Sequence, residues 1–378
     1  MLKKYNRYEV MKIFLAFVVT ILLCFPAIAQ NKTARQQANL NGSVKTVEAY
    51  RIEFSFRDGK TEQAKRLSWY SNSFNSKGDL TERVTYNHLG EITEKIVYSF
   101  DKKGRNTGYD EYHTIRNKII IIPRKHIYTL DDKGNRIEYG VFESNGNPAS
   151  RFIYRYDSKG NKIEYSHYYH TGQIGGTTVY TYDKKGNQIS EISYNPERVV
   201  TWKIISTYDA KGNETERLQY ERDNLKYKIV SRYDNKQRIL EKETTEFNAT
   251  PNSFTSHAPI PGKVIYAYDD TKRTKEVATY KPDGTLVERI IYTYDSRDNE
   301  IEYAMFKGDD SPNFSQIQFY DNTSASGVKL LGSLSGKSVK EYEYDSHDNW
   351  TKITYLIQSE EGVKPTAYYA EERVITYY

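Results

Sequence analysis

Three sets of residues in this sequence have side chains that support chemistry: spaced histidines, recurring glutamates and paired aromatics. His167 and His170 sit in HYYH. On a strand, a separation of three puts them on opposite faces, a poor chelating geometry. His88, His113, His126, His257 and His347 are scattered, so no metal site is expected. Glu138, Glu164 and Glu302 each stand in Ile-Glu-Tyr. Two carboxylates roughly 5 to 9 Å apart can hydrolyse glycosides, and cross-strand glutamates can reach that spacing. These positions recur with the fold and alternate with Lys and Arg, which fits solvent-facing ion pairs better. The repeated Asp-x-x-Gly-Asn lacks the alternating oxygen ligands of a calcium loop. No Gly-x-Ser-x-Gly, His-Glu-x-x-His or phosphate-loop motif occurs. The expectation is a protein without catalysis and without a cofactor. Tyr168, Tyr169 and Trp202 remain as candidate ligand-binding residues, because flat rings on a rigid sheet stack on sugar rings or peptide. The alternative is that such rings fill a thin sheet as cross-strand ladders.

The elements that position these residues are read best from Arg151–Tyr165, RFIYRYDSKGNKIEY. Phe152, Tyr154 and Tyr156 alternate with Arg151, Ile153 and Arg155, the period of two of a strand. Asp157 opens a type I turn, where its carboxylate bonds backbone N–H groups ahead of it. Gly160 takes the position that needs positive φ. The chain then resumes its alternation, so the unit is an antiparallel hairpin. The same turn recurs at Asp131 and Gly134, at Asp183 and Gly186, and at Asp209 and Gly212, so that with Asp157 the four turns stand 26 residues apart. Imperfect copies stand at Asn75, Asp101, Asp234, Asp269, Asp295 and Asp345. A fixed period means a repeat architecture. Each period holds a second, looser turn, for example at Gly146, Gly172 and Gly284, so one unit is two strands and two turns. The expected fold is all-β: an elongated, curved antiparallel β-meander of roughly 20 strands in tandem repeats of ~26 residues. Three stretches break the period: 112–127, 244–263 and 307–338. Function is best sought where the repeat fails, at Tyr112–Ile127, Tyr168–Gly176, Trp202 and Thr244–Lys263.

The Tyr-x-Tyr-Asp-x-x-Gly-Asn units, clearest at Tyr154–Asn161 and Tyr180–Asn187, resemble the YD repeats of the RHS family. The chain as a whole is similar to short secreted YD-repeat proteins of Bacteroidetes. Larger family members wind a β-sheet strip into a hollow shell around a toxic C-terminal polypeptide. The resemblance implies the sheet-strip architecture. About ten units are few to close a shell, and no Asp-Pro-x-Gly motif marks a processing site, so the expectation is the curled sheet strip without toxin delivery, its closure left open.

Composition bounds the rest. Lys3, Lys4, Arg7 and Lys12 flank or precede the apolar run Ile13–Cys24, and Ala27-Ile-Ala29 supplies small residues. This pattern is a secretory signal over 1–29. Its apolar run is too short to cross a bilayer, so no stable membrane span is expected after cleavage. Removing those four basic residues and Glu9 lowers the formal charge of +5 by 3, to near +2. Charges of both signs are interspersed, which argues against a nucleic-acid partner. Cys24 is the single cysteine, so the mature chain forms no disulfide. With 36 Tyr among 378 residues and 37% hydrophobic content, the sheet must be thin and packed largely by Tyr, Ile and Val. The expected organisation is the signal, a polar linker over 30–39, a repeat array over 40–331 and a terminal repeat or cap module over 332–378. Leu334–Tyr344 echoes Leu40–Tyr50 and begins that module, in which Trp350 seals the end of the sheet. The expected function is an exported scaffold that binds glycan or protein at the envelope or outside the cell. A structural, encapsulating sheet is the alternative, and a carbohydrate hydrolase the third reading.

Overall fold

A computed structural model describes residues 32–57, 60–87, 89–113, 124–247, 259–309, 311, 315–321, 329–359 and 363–378. The expected signal segment, His88, His257 and the middle of the excursions at 112–127 and 244–263 lie outside these residues. Among the described residues there are 23 strands and one short helix. Consecutive strands pair antiparallel, as the hairpin repeats require, except Glu300–Lys307 and Ser315–Asp321.

The sheet is closed. The first strand, Val44–Arg57, pairs with the last, Thr366–Tyr377, from Val44↔Tyr377 to Glu53↔Tyr369. Glu302 and Tyr303 pair with Val339 and Ser338, which carries the ring past Ser315–Asp321. That strand pairs instead with the first half of Lys329–Tyr344. The result is a closed barrel of 22 strands, which corrects the expectation of an elongated strip. Strand twist accumulates along a meander and curls it. Once the two edges meet, pairing them satisfies two rows of backbone N–H and C=O groups that an open strip leaves exposed. Trp350 therefore has strands on both sides and seals no sheet end.

An antiparallel ring has two rims, and the two kinds of turn separate between them. All the Asp-x-x-Gly-Asn turns share one rim. At Asp157, the backbone N–H of Asp157 donates to Asn161 O (2.9 Å) and that of Gly160 donates to Asp157 O (3.1 Å). Asp157 Oδ1 accepts from the Asn161 N–H (2.8 Å) and Oδ2 from Asn161 Nδ2 (2.9 Å). The same set recurs at Asp131, Asp183 and Asp209. These bonds, those from the Asn side chain first, hold the four carboxyls below the usual aspartate range. Gly160 has φ +88°, and Asp298 and Asp348 adopt positive φ at the equivalent position. Successive turns are stitched together. Tyr156, Tyr182 and Tyr208 each donate to a backbone carbonyl 20 residues earlier, at 2.9, 2.7 and 2.8 Å. Lys133, Lys159 and Lys185 reach carbonyls of the next turn.

The buried core sits at the closure. Among the described residues, eleven of the fifteen buried apolar side chains lie on the two strands to either side of the joint or on the segment leading to it; Val84 is one strand further on, and Tyr227, Ile229 and Ala278 lie elsewhere. Leu40, Val44, Val47 and Phe74 form one cluster, against which Tyr70, Ile375 and Tyr377 pack. Within the expected 30–39 linker, the described residues carry a helix at Ala34–Gln37 with a Thr33/Gln36 capping box. This segment docks on the rim: the Arg35 N–H donates to Gly78 O (3.0 Å). Asn41 and Asn349 exchange bonds of 2.7 and 3.0 Å. Elsewhere most wall residues are half-buried, as in a thin sheet.

Candidate functional site

Register assigns side chains to two faces, because residues directly opposite in a pair point the same way. One face carries rings. Tyr98 pairs with Tyr109, Tyr109 with His126, Tyr139 with Phe152, and Phe152 with His167. Their centroids run 5.8 Å, 4.0 Å, then 5.7 Å across the diagonal from His126 to Tyr139, then 5.1 and 4.9 Å. His167 ends the ladder edge-on to Tyr169 at 4.9 Å. The ladder stops at Gly175 and Gly176 in the next strand. A Cβ on Gly175 would lie 2.7 Å from the His167 ring. Burial pushes the Tyr154 phenol, beside this row, up to about 12. The opposite face carries ion pairs. Arg151 meets Glu138 at 3.0 Å and Arg155 meets Glu164 at 3.7 Å. Glu302, the third recurring glutamate, meets Lys337 at 2.7 Å.

The structure does not bring the three candidate aromatics together. Tyr169 is half exposed, at 51%, on the ring-bearing face. Tyr168 points the other way, with the Arg151 guanidinium 5.5 Å from its ring. Trp202 shares Tyr169's face through the row Tyr165–Thr178–Ser193–Trp202, which places it three strands, about 14 Å, from Tyr165 and further from Tyr169. His167 and His170 also separate, the first stacked in the ladder and the second exposed in a turn.

Sequence reasoning missed a cluster on the ring-bearing face beside the first excursion. Glu94 and His113 are direct cross-strand partners. Glu111 lies two residues from His113 and therefore on its face. Candidate ligand atoms of Glu94, Glu111 and His113 all lie within 4.8 Å of one another. His113 Nε2 is 2.9 Å from Glu111 Oε1. From the next strand, His126 Nε2 is 3.0 Å from Glu111 Oε2, and its Nδ1 is 2.7 Å from Tyr139 Oη. A carboxylate only accepts, so Nε2–H donates to Glu111 and Nδ1 accepts from Tyr139. Burial lowers the His126 pKa against the opposing pull of Glu111, which favours this neutral ring. Gly108 makes the approach of the two strands possible: its φ is +145°, and a Cβ there would lie 1.9 Å from the His126 carbonyl oxygen. The available signal was the break in period, flanked by His113 and His126.

A second charged group lies on the same face at the joint. Arg51 pairs with Glu371, and Arg373 with Ala49. The Arg373 guanidinium covers the Trp350 ring at 3.3 Å and that of Arg51 covers Trp69 at 4.4 Å. Glu371 accepts from Tyr355 Oη at 3.2 Å. Burial raises the Glu371 pKa and lowers that of Arg373.

Fold and site together define a closed antiparallel β-barrel of tandem hairpins, with one ring-lined face and one ion-paired face. No protein-family profile matches the chain, and no curated protein matches it in sequence. Solved structures similar to it include the TcdB2-TccC3-Cdc42 crystal structure, at 11% identity and TM-score 0.39 over 85% of this chain and 18% of that one. A Photorhabdus luminescens Tc holotoxin pore with a TccC3 mutation gives 11% identity and TM-score 0.34 over 89% and 18%. A porin-like protein from Bacteroides uniformis gives 8% and 0.23 over 89% and 98%. The chain thus spans less than a fifth of the length of the first two.

Proposed function

We propose that this chain is an exported, non-catalytic structural barrel that surrounds or holds a polypeptide, in line with the resemblance of its repeats to RHS units. The observation that carries this reading is the closure itself. The apolar core is spent on joining the first and last strands, and the rest is a thin wall. A wall with both faces decorated, and its strongest packing at the joint, is built to enclose. Where Arg151 and Arg155 meet Glu138 and Glu164, the ion-paired face carries charge that a lipid-facing band disfavours.

The ring ladder favours a second reading, binding of glycan along its face. Its inner rings stack on one another, so Tyr169 at the rim is the ring with the most free surface. The test is to purify the chain from its native envelope or medium under non-denaturing conditions and treat it with protease. The expected result is a second polypeptide, protected while the barrel is intact and digested after urea. Recovery of the chain alone, with binding on a glycan array that Tyr169→Ala removes, would replace the first reading with the second.

A further inference from the structure

The geometry points to a divalent transition-metal site of the zinc class, built from Glu94, Glu111 and His113 and independent of what the barrel encloses. Their ligand atoms, one nitrogen and two carboxylate oxygens, lie within 4.8 Å of one another. An ion 2.0–2.2 Å from each donor needs separations of no more than about 4.4 Å, which small side-chain rotations from this triangle reach. The donors come from two adjacent strands on one face, held by the Glu94↔His113 pair and the Glu111 pleat position. Three donors leave one or more coordination positions open. An imidazole donor and so few oxygens disfavour calcium, which takes six to eight oxygen ligands.

His126 orients one of these ligands from the next strand. It is 7% exposed and aims Nε2–H at Glu111 Oε2. That bond leaves Oε1 for the ion, and Tyr139 fixes the ring from behind through Nδ1. A carboxylate oriented by a buried imidazole is the outer-shell arrangement that sets ligand geometry and charge. Oε1 now accepts from His113 Nε2. Binding replaces that proton: His113 carries its proton on Nδ1 and Nε2 donates its lone pair to the metal.

Zinc(II) titration of the chelator-treated full chain by calorimetry tests the assignment, with cobalt(II) absorption as the coordination readout. One ion per chain is expected at this site. His113→Ala and Glu111→Gln should each weaken it at least tenfold and remove the cobalt bands. His126→Phe should weaken it ~10- to 100-fold, with an unchanged far-UV spectrum showing that the fold is intact. His113 is substantially exposed, so its replacement is compatible with folding. An absence of zinc binding by the wild type, equal affinity and stoichiometry in wild type and His113→Ala, or tighter calcium than zinc binding would each overturn the assignment.

Discussion

A disulfide across the joint tests the closure most directly. Thr46 and Thr376 are paired on the first and last strands, and their hydroxyls are 2.6 Å apart across 330 residues of sequence. Two cysteines there, with Cys24 absent or replaced by serine, meet the requirement that the Cβ atoms face each other at close range. In the chain-entropy description, closing a loop of that length removes roughly 6 kcal/mol of unfolded-state freedom. Measured disulfides commonly deliver less because of native strain, so a gain of about 2–5 kcal/mol is expected. The assay has two parts. Non-reducing electrophoresis of Thr46→Cys/Thr376→Cys should show a fast-migrating monomer that reductant abolishes. Urea unfolding should then give a higher midpoint oxidised than reduced. Thr376 is exposed and Thr46 half-buried, so the substitutions cost little by themselves. A double variant that stays reduced, or cross-links only between chains, would mean that the two strands are not neighbours and that the sheet is open.

Other outcomes follow from the same geometry. Phe74→Ala, in the buried cluster at the joint, should cost about 3–5 kcal/mol by chemical denaturation; Phe152→Ala in the half-buried ladder should cost distinctly less, and equal costs would refute a core concentrated at the joint. Gly108→Ala should destabilise by at least ~2 kcal/mol, since it adds a contact with the His126 carbonyl to a φ that L-residues avoid; a neutral effect would show that the two strands do not approach closely there. The turn aspartates have carboxyl pKa values below the ordinary one. Their contribution is complete above the unfolded pKa of about 3.9 and is lost as pH falls below it through the folded values. Thermal melts from pH 5 to pH 2 should therefore fall in that window, and Asp→Asn at residues 131, 157, 183 and 209 should flatten the decline; an unchanged slope would sink the assignment.

Much of the local structure was legible in the chain. Asp157 and Gly160 specify a turn by side-chain hydrogen bonding and by φ, both properties of a few consecutive residues, and their copies specify the hairpin count. The ion pairs of Glu138 and Glu164 also follow from local alternation. The Glu94–Glu111–His113–His126 cluster was not legible. His113 and His126 are separated by an excursion whose length says nothing of the register across it, and that register decides whether His126 meets Glu111 or faces away. Tyr168 and Tyr169 separate for a simpler reason: adjacent residues on a strand point to opposite faces.

The sequence by itself determined the hairpins, their antiparallel order and the two alternating faces, because turn chemistry and the period of two act within one repeat. Only the tertiary structure decided that the strip closes. Closure depends on the accumulated twist of the whole sheet and on a match between Val44–Arg57 and Thr366–Tyr377, more than 300 residues apart. No single repeat contains that information, and the burial of Leu40, Val44, Val47 and Phe74 arises where the two ends meet.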